Sequence, residues 1–209
     1  ASVAAMRELV KAGKVPTEPF YEDGKQVERP LGIYSDDLYT SKLLQFLEQG
    51  RASGKPFFAY AAYTTPHAPL QAPDFLIDKY FEHYLKLGFQ GLKRARFDSQ
   101  KALGILPKEA RFPEENRPQL LRAWSRLSDA ERRRLARMMA TYSAMMESQD
   151  YHIGMLLNYL RETGQLDDTL IVYMSDNGPE GLAVRGELSD PMATKRVESN
   201  FSQAFDHIG

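Results

Sequence analysis

Cysteine is absent from all 209 residues, so neither a disulfide nor a thiolate-ligated zinc can be built from this sequence. No apolar run approaches the ~20 residues of a membrane-spanning helix, and Ala1–Val10 has no apolar core long enough for a secretory leader. Neither sign of charge is in excess: 27 Lys and Arg stand against 28 Asp and Glu, for a net charge of −1. That balance removes the electrostatic footprint expected of a nucleic-acid or membrane-surface binder. Internal repeats and low-complexity tracts are missing, which argues against solenoid and fibrous classes. What remains, 43% hydrophobic and 26% charged residues, is ordinary for a globular domain. A compact domain of this length could bury roughly 70% of its unfolded surface.

The most informative stretch that is present is Thr169–Gly178, TLIVYMSDNG. Leu170–Met174 read as a strand buried on both faces, because β-branched and aromatic residues fill it without polar alternation. It stops abruptly at Ser175-Asp176-Asn177-Gly178. In open parallel sheets, ligands bind just beyond the carboxyl ends of strands. A carboxylate beside an amide oxygen supplies hard donors of the kind that Ca²⁺ or Mg²⁺ takes. The same residues are also good strand-end turn chemistry, and local sequence leaves both readings open. A second run, Pro56–Tyr63, is apolar throughout and leads into Thr64-Thr65-Pro66-His67-Ala68-Pro69. His67 therefore sits in a proline-stiffened loop, either as a functional group or as a structural loop histidine.

Helical signals surround these runs. Ala1–Gly13 has apolar residues at helical intervals, and Lys14–Pro30 reads as a loop or short hairpin. Ser35 is the predicted N-cap of a helix over Asp36–Gln49, with Tyr39, Leu43, Phe46 and Leu47 as its apolar stripe. A short helix is predicted over Pro73–Tyr84, with Phe75, Leu76 and Tyr80 inward. Residues 88–118 read as an insertion: a short helix near Leu92–Ala102, then irregular chain, serving as a lid or as a surface excursion. Ser128-Asp129-Ala130-Glu131 matches a capping box. From it Leu135, Met138, Met139, Tyr142, Met145, Met146, Ile153, Leu156, Leu157 and Leu160 keep helical spacing to Gly164, a natural C-cap. A bend near Ser148–Asp150 is expected in so long a helix. The Met residues read as core filling, and Arg132-Arg133-Arg134 as a solvated face.

Three of these blocks carry a resemblance. PFFAYAAYTTPHAPLQAP resembles the segment of formylglycine-dependent sulfatases that holds a substrate-contacting histidine. IGMLLNYLRETGQLDDTLIVYMSDNGPEG resembles their later segment with two metal ligands, and YSDDLYTSKLLQFLEQ resembles their lead-in helix. The blocks occur in the family's order over most of Tyr34–Gly181, and the middle region is similar to the larger bacterial arylsulfatases. The resemblance implies an α/β domain of alkaline-phosphatase-like fold, with a largely parallel central sheet flanked by helices. It implies hydrolysis of sulfate monoesters, with His67 as the catalytic and substrate-binding residue and Asp176 and Asn177 as ligands of a divalent cation, Ca²⁺ or Mg²⁺. Its implied partner is a sulfated small molecule or glycan, with no nucleic acid. Ser175 and Glu180 rank second, as supports of the metal ligands. Asp150 reads as structural, His152 as packing or surface, and His83 and His207 have no such context.

Other family features have no counterpart. The Cys-x-Pro-x-Arg signature that yields formylglycine is missing, as are the early Asp-Asp metal pair, the Lys-x-His pair and the late Lys before Gly-Gly-x-Arg-x-Pro. Asp36-Asp37 and Asp167-Asp168 precede a helix and a strand instead. The simplest expectation is that residues 1–209 are an internal part of a single catalytic domain, with the fold incomplete in this chain. Alone, it is expected to lack turnover and to bind metal weakly. The alternatives are a phosphoester or phosphonate hydrolase of the same superfamily, and a non-catalytic sulfatase-like binding protein. Composition leaves the compartment open; a periplasmic, extracellular or lysosomal-type one is compatible with the parent.

Overall fold

The computed structural model describes residues 20–27, 33–67, 70–113 and 123–178. The predicted helix over Ala1–Gly13 and the segment beyond Gly181 lie outside them. Within Lys14–Pro30 the hairpin alternative holds. Strands β1 (Phe20–Glu22) and β2 (Lys25–Val27) pair antiparallel, with Phe20 opposite Val27 and Glu22 opposite Lys25. Asp23 and Gly24 both take positive φ, 51° and 74°, as a two-residue hairpin turn with matching twist requires.

Three helices carry the rest: α1 (Ser35–Arg51), α2 (Asp74–Ala102) and α3 (Asp129–Glu162), with a 3₁₀ turn at Trp124–Arg126 before the last. The start of α3 is as the sequence reads. Glu131 N–H donates to Ser128 Oγ, and Ser128 N–H donates to Glu131 Oε2 at 2.8 Å, so two orphan donors are satisfied reciprocally. Its end is a Schellman turn at Gly164 (φ 71°), with Gln165 N–H donating to Leu160 O at 2.8 Å and Gly164 N–H to Arg161 O at 3.1 Å. Between these caps the 34 residues run as helix through Ser148–Asp150, about 51 Å at 1.5 Å per residue. No helix among the described residues is long and apolar enough to cross a membrane.

The buried face of α3 differs from the expected stripe. Ala136, Ala140, Ala144, Ser148 and His152 recur at every fourth position and are all buried. Such a ridge of mostly small side chains lets neighbouring helices approach closely. Of the bulky stripe, Met145 and Leu160 are buried and the other members are half-buried. Ala140, Ala144 and Met145 form the core with Ala72 and Ile77, flanked by Leu70, Leu76, Tyr80, Phe81 and Tyr84. Burial of Ile77 contributes about 1.5–3 kcal/mol. Polar ties reinforce the α2–α3 contact. Tyr80 Oη donates to Glu147 Oε2 at 2.6 Å, Lys79 Nζ to Glu147 Oε1 at 2.6 Å, and the Tyr84 and Ser143 hydroxyls meet at 2.6 Å.

α2 corrects the reading of two short helices. It is helical from Asp74 to Ala102 and breaks at Gly88 (φ 61°, ψ −171°). Leu76 and Tyr80 face the core as expected, but Phe75 is exposed. The arm after Gly88 ends in a Schellman turn at Gly104, with Ile105 N–H on Gln100 O at 2.9 Å. At α1, Tyr34 rather than Ser35 is the N-cap, without a side-chain cap bond. Ser35 is the first helical residue.

The two apolar runs also differ from expectation. Residues 56–63 and 169–174 form no regular secondary structure and belong to no ladder; among the described residues the β1–β2 hairpin is the one sheet. A buried, largely parallel central sheet is therefore not seen here. Phe58 is 94% and Leu170 90% exposed. Apolar composition signals that a strand is fit for burial, but burial and the ladder both require neighbouring strands.

Candidate active site

His67 is exposed and ends a tight turn in which its N–H donates to Thr64 O at 2.8 Å. Side chains from two helices secure the chain that leads into it. Thr65 is buried; its Oγ1 donates to Asp36 Oδ1 at 2.6 Å, and its carbonyl accepts from Gln149 Nε2 at 3.3 Å. Upstream, Tyr63 Oη and Thr40 Oγ1 share a 2.7 Å hydrogen bond. Downstream, Tyr34 Oη donates to Gln71 O at 3.0 Å. The loop of His67 is thus anchored to the first turns of α1 and the middle of α3.

Electrostatics in this anchor favour neutral groups. Burial pushes the Asp36 carboxyl above the usual aspartate range, and the Thr65 hydroxyl opposes that shift. Burial also raises the Tyr34 phenol, with Asp36 adding to the effect. Next to Asp36, Asp37 Oδ1 meets His152 Nε2 at 2.7 Å, while His152 Nδ1 meets Ser148 O at 2.7 Å. His152 is buried and paired, which settles its sequence reading in favour of packing. Sequence reasoning missed Asp36, Thr65 and Gln149 as a unit. The one sequence signal for it is the adjacent Asp pair at the head of α1.

Asp176 and Asn177 stand in an exposed turn after α3, reached through Gln165–Thr169, where Thr169 Oγ1 donates to Gln165 O at 2.6 Å. Asn177 N–H donates to Asp176 Oδ1 at 3.0 Å, Asn177 Nδ2 donates to Gly178 O at 2.6 Å, and Ser175 Oγ donates to Asn177 O at 2.6 Å. The amide nitrogen is thereby committed to the backbone, and the amide oxygen is the atom left to act as a ligand. A carboxylate and an amide oxygen side by side fit part of a Ca²⁺ or Mg²⁺ shell, though far fewer than the 6–8 oxygens Ca²⁺ takes. Among the described residues no group of three or more His, Asp or Glu side chains is placed to hold a metal ion. Asp176 and Asn177 share one turn; His67 stands in another, built on α1 and α3. Asp150 and His83 are exposed on α3 and α2. Glu180 and His207 lie outside the described residues.

Comparison with known proteins supplies what two separate turns do not. The sulfatase family profile matches residues 9–197. An uncharacterized sulfatase of Schizosaccharomyces pombe is 35% identical over 177 residues, covering 85% of this chain and 31% of that protein. An arylsulfatase of Klebsiella aerogenes is 30% identical over 190 residues, covering 91% of this chain and 39% of that protein. A multifunctional alkaline phosphatase superfamily protein of Trinickia caryophylli is 31% identical over 149 residues, covering 70% and 28%. The chain therefore spans well under half the length of these relatives. Matched along most of its own length, it belongs to the sulfatase family, whose fold is alkaline-phosphatase-like.

Proposed function

We propose that the protein carrying this chain is a sulfuric ester hydrolase of arylsulfatase type, cleaving a sulfated small molecule or glycan to an alcohol or phenol and sulfate. The family match over residues 9–197 carries the reading. Sulfatases generally use a divalent cation and a formylglycine; when bound, these shield the sulfate charge and supply the nucleophile. Asp176 and Asn177 hold the cation, Ca²⁺ or Mg²⁺, through oxygens of the type such ions take. His67, exposed on an anchored turn, donates a hydrogen bond to the sulfate or to the leaving oxygen. A neutral imidazole donates from one nitrogen and an imidazolium from both, so this role depends on protonation. Residues 56–63 and 169–174 are strands of a largely parallel central sheet, paired in the whole protein with segments beyond those described; their exposed apolar side chains support this.

One observation favours a second reading. The 31% identity to an alkaline phosphatase superfamily protein is compatible with a phosphoester or phosphonate hydrolase using the same metal ligands. Both readings are tested by assaying the intact protein on matched aryl sulfate and aryl phosphate. The expected result is sulfate release, lowered about 10²–10³-fold by Asp176→Ala or His67→Ala. Preference for the phosphate ester would select the second reading. No turnover of either, with retained binding of a sulfated glycan, would make the protein a binding module.

A further inference from the structure

Asp36 is an expensive residue for a helix start. It is fully buried, and its Oδ2 has no hydrogen-bond partner among the described residues. Burying a carboxyl group with one oxygen unsatisfied costs stability, and an acidic residue exposed in the first turn would serve the helix dipole equally well. Its Oδ1 accepts from Thr65 Oγ1 at 2.6 Å, two residues before His67. Asp36 is itself held still. His152 Nδ1 faces the Ser148 carbonyl, which can only accept, so that nitrogen carries a proton. Nε2 meets Asp37 Oδ1 at 2.7 Å, fastening the first turn of α1 to α3. Gln149, on the same part of α3, takes the Thr65 carbonyl. Thr65 is thus gripped at its side chain and its backbone by two helices that are tied to each other.

We infer that Asp36 is a positioning residue for His67: through Thr65 it sets the Thr64–His67 turn, and with it the direction in which the imidazole meets substrate. The inference rests on His67 being the substrate-contacting group. Local departures from good folding chemistry are expected where a site must be held in place, and a misplacement of 1 Å costs about 10²-fold in rate.

The test uses the intact protein with Asp36→Ala, Thr65→Val, their double variant, and the conservative Asp36→Asn and Thr65→Ser. The readouts are the ring ¹³Cε1–¹H resonance of His67 with its pH titration, and steady-state kinetics on an aryl sulfate; thermal melts confirm folding. Asp36→Ala and Thr65→Val should each move the His67 resonance and lower kcat about 10- to 100-fold with little change in KM. The double variant should be no worse than either single one, because the two residues act through one bond. Thr65→Ser should restore both readouts. An unmoved His67 resonance in Thr65→Val, or additive losses in the double variant, overturns the inference. Should Asp36→Ala not fold, Thr65→Val, which removes the bond, against Thr65→Ser and Asp36→Asn, which keep it, carries the comparison. A moved resonance in a protein that hydrolyses no sulfate ester would overturn the proposed function and leave the coupling standing.

Discussion

Gly88 lies directly beneath Trp124: a Cβ on Gly88 would stand 2.7 Å from the indole Cγ and Cδ1 and 2.8 Å from Nε1. Its φ of +61° is a conformation that side-chain-bearing residues avoid. Both constraints act at the break in α2, and Trp124 also packs edge-to-face on Phe89 at 5.0 Å. Gly88→Ala is expected to cost about 2 kcal/mol or more through strain and overpacking. That lowers the melting midpoint by roughly 4–8 °C in a domain of this size. Trp124 is the chain's single tryptophan, so its emission reports the break directly. A variant with unchanged midpoint and emission would show that the indole does not rest on Gly88.

Asp36 gives stability a defined pH dependence. Burial raises its carboxyl in the folded state, so the fold binds more proton than the unfolded chain between the two values. The contribution of the protonated group is complete below the unfolded aspartate value and is lost as pH rises through the folded one. Asp36→Asn, which mimics the neutral form, should therefore gain on the parent as pH is raised from mildly acidic to neutral. A gain of about 1 kcal/mol corresponds to ~2–4 °C in midpoint. Melts of both proteins across that range check it; a difference independent of pH would show that Asp36 titrates at the same place folded and unfolded.

Glu147 behaves in the opposite sense. Hydrogen bonds from Lys79 and then Tyr80 hold its carboxyl below the usual glutamate range. Its stabilisation is present above the unfolded glutamate value and fades as pH falls through the folded one. Because Lys79 is more than half exposed, the ion pair itself contributes little. Most of the effect lies in the phenol bond, so Tyr80→Phe should cost about 1 kcal/mol and Lys79→Met less. Paired urea titrations decide the order, and a larger loss for Lys79→Met would reverse this assignment.

The apolar segments 56–63 and 169–174 form no ladder among the described residues. Exposed apolar strands are templates for association. Expressed as residues 1–209, the chain should bind a hydrophobic dye and self-associate, and Phe58→Lys with Val172→Lys should reduce both. In the intact protein the same pair should instead lower stability if, as proposed, these side chains pack within a central sheet. Equal dye binding with and without the lysines would remove these segments as the cause.

Legibility in the sequence followed the range of the physics involved. The capping box at Ser128 and the Gly164 stop were readable because each is a contract between residues within a turn or two. The fine packing of α3 was not. Hydrophobic size pointed to the Met and Leu positions, whereas the most deeply buried ridge is Ala136-Ala140-Ala144. Periodicity says that a helix has a buried face; which residues lie nearest the partner depends on how closely that partner comes. The break in α2 fell between the two because Gly88 is locally permissive, and only Trp124, 36 positions on, requires it.

For the site the division is similar. Sequence by itself supplied the candidates, a histidine after an apolar run and a carboxylate and an amide after another, and determined the family to which the chain belongs. Tertiary structure alone decided that the turn of His67 is held by Asp36 and Gln149, and that His152 is matched with Asp37 across 115 positions. Such bonds join residues whose separation along the chain carries no periodic signal. They exist only after α1 and α3 have packed, and packing is a property of surfaces brought together rather than of neighbours in sequence.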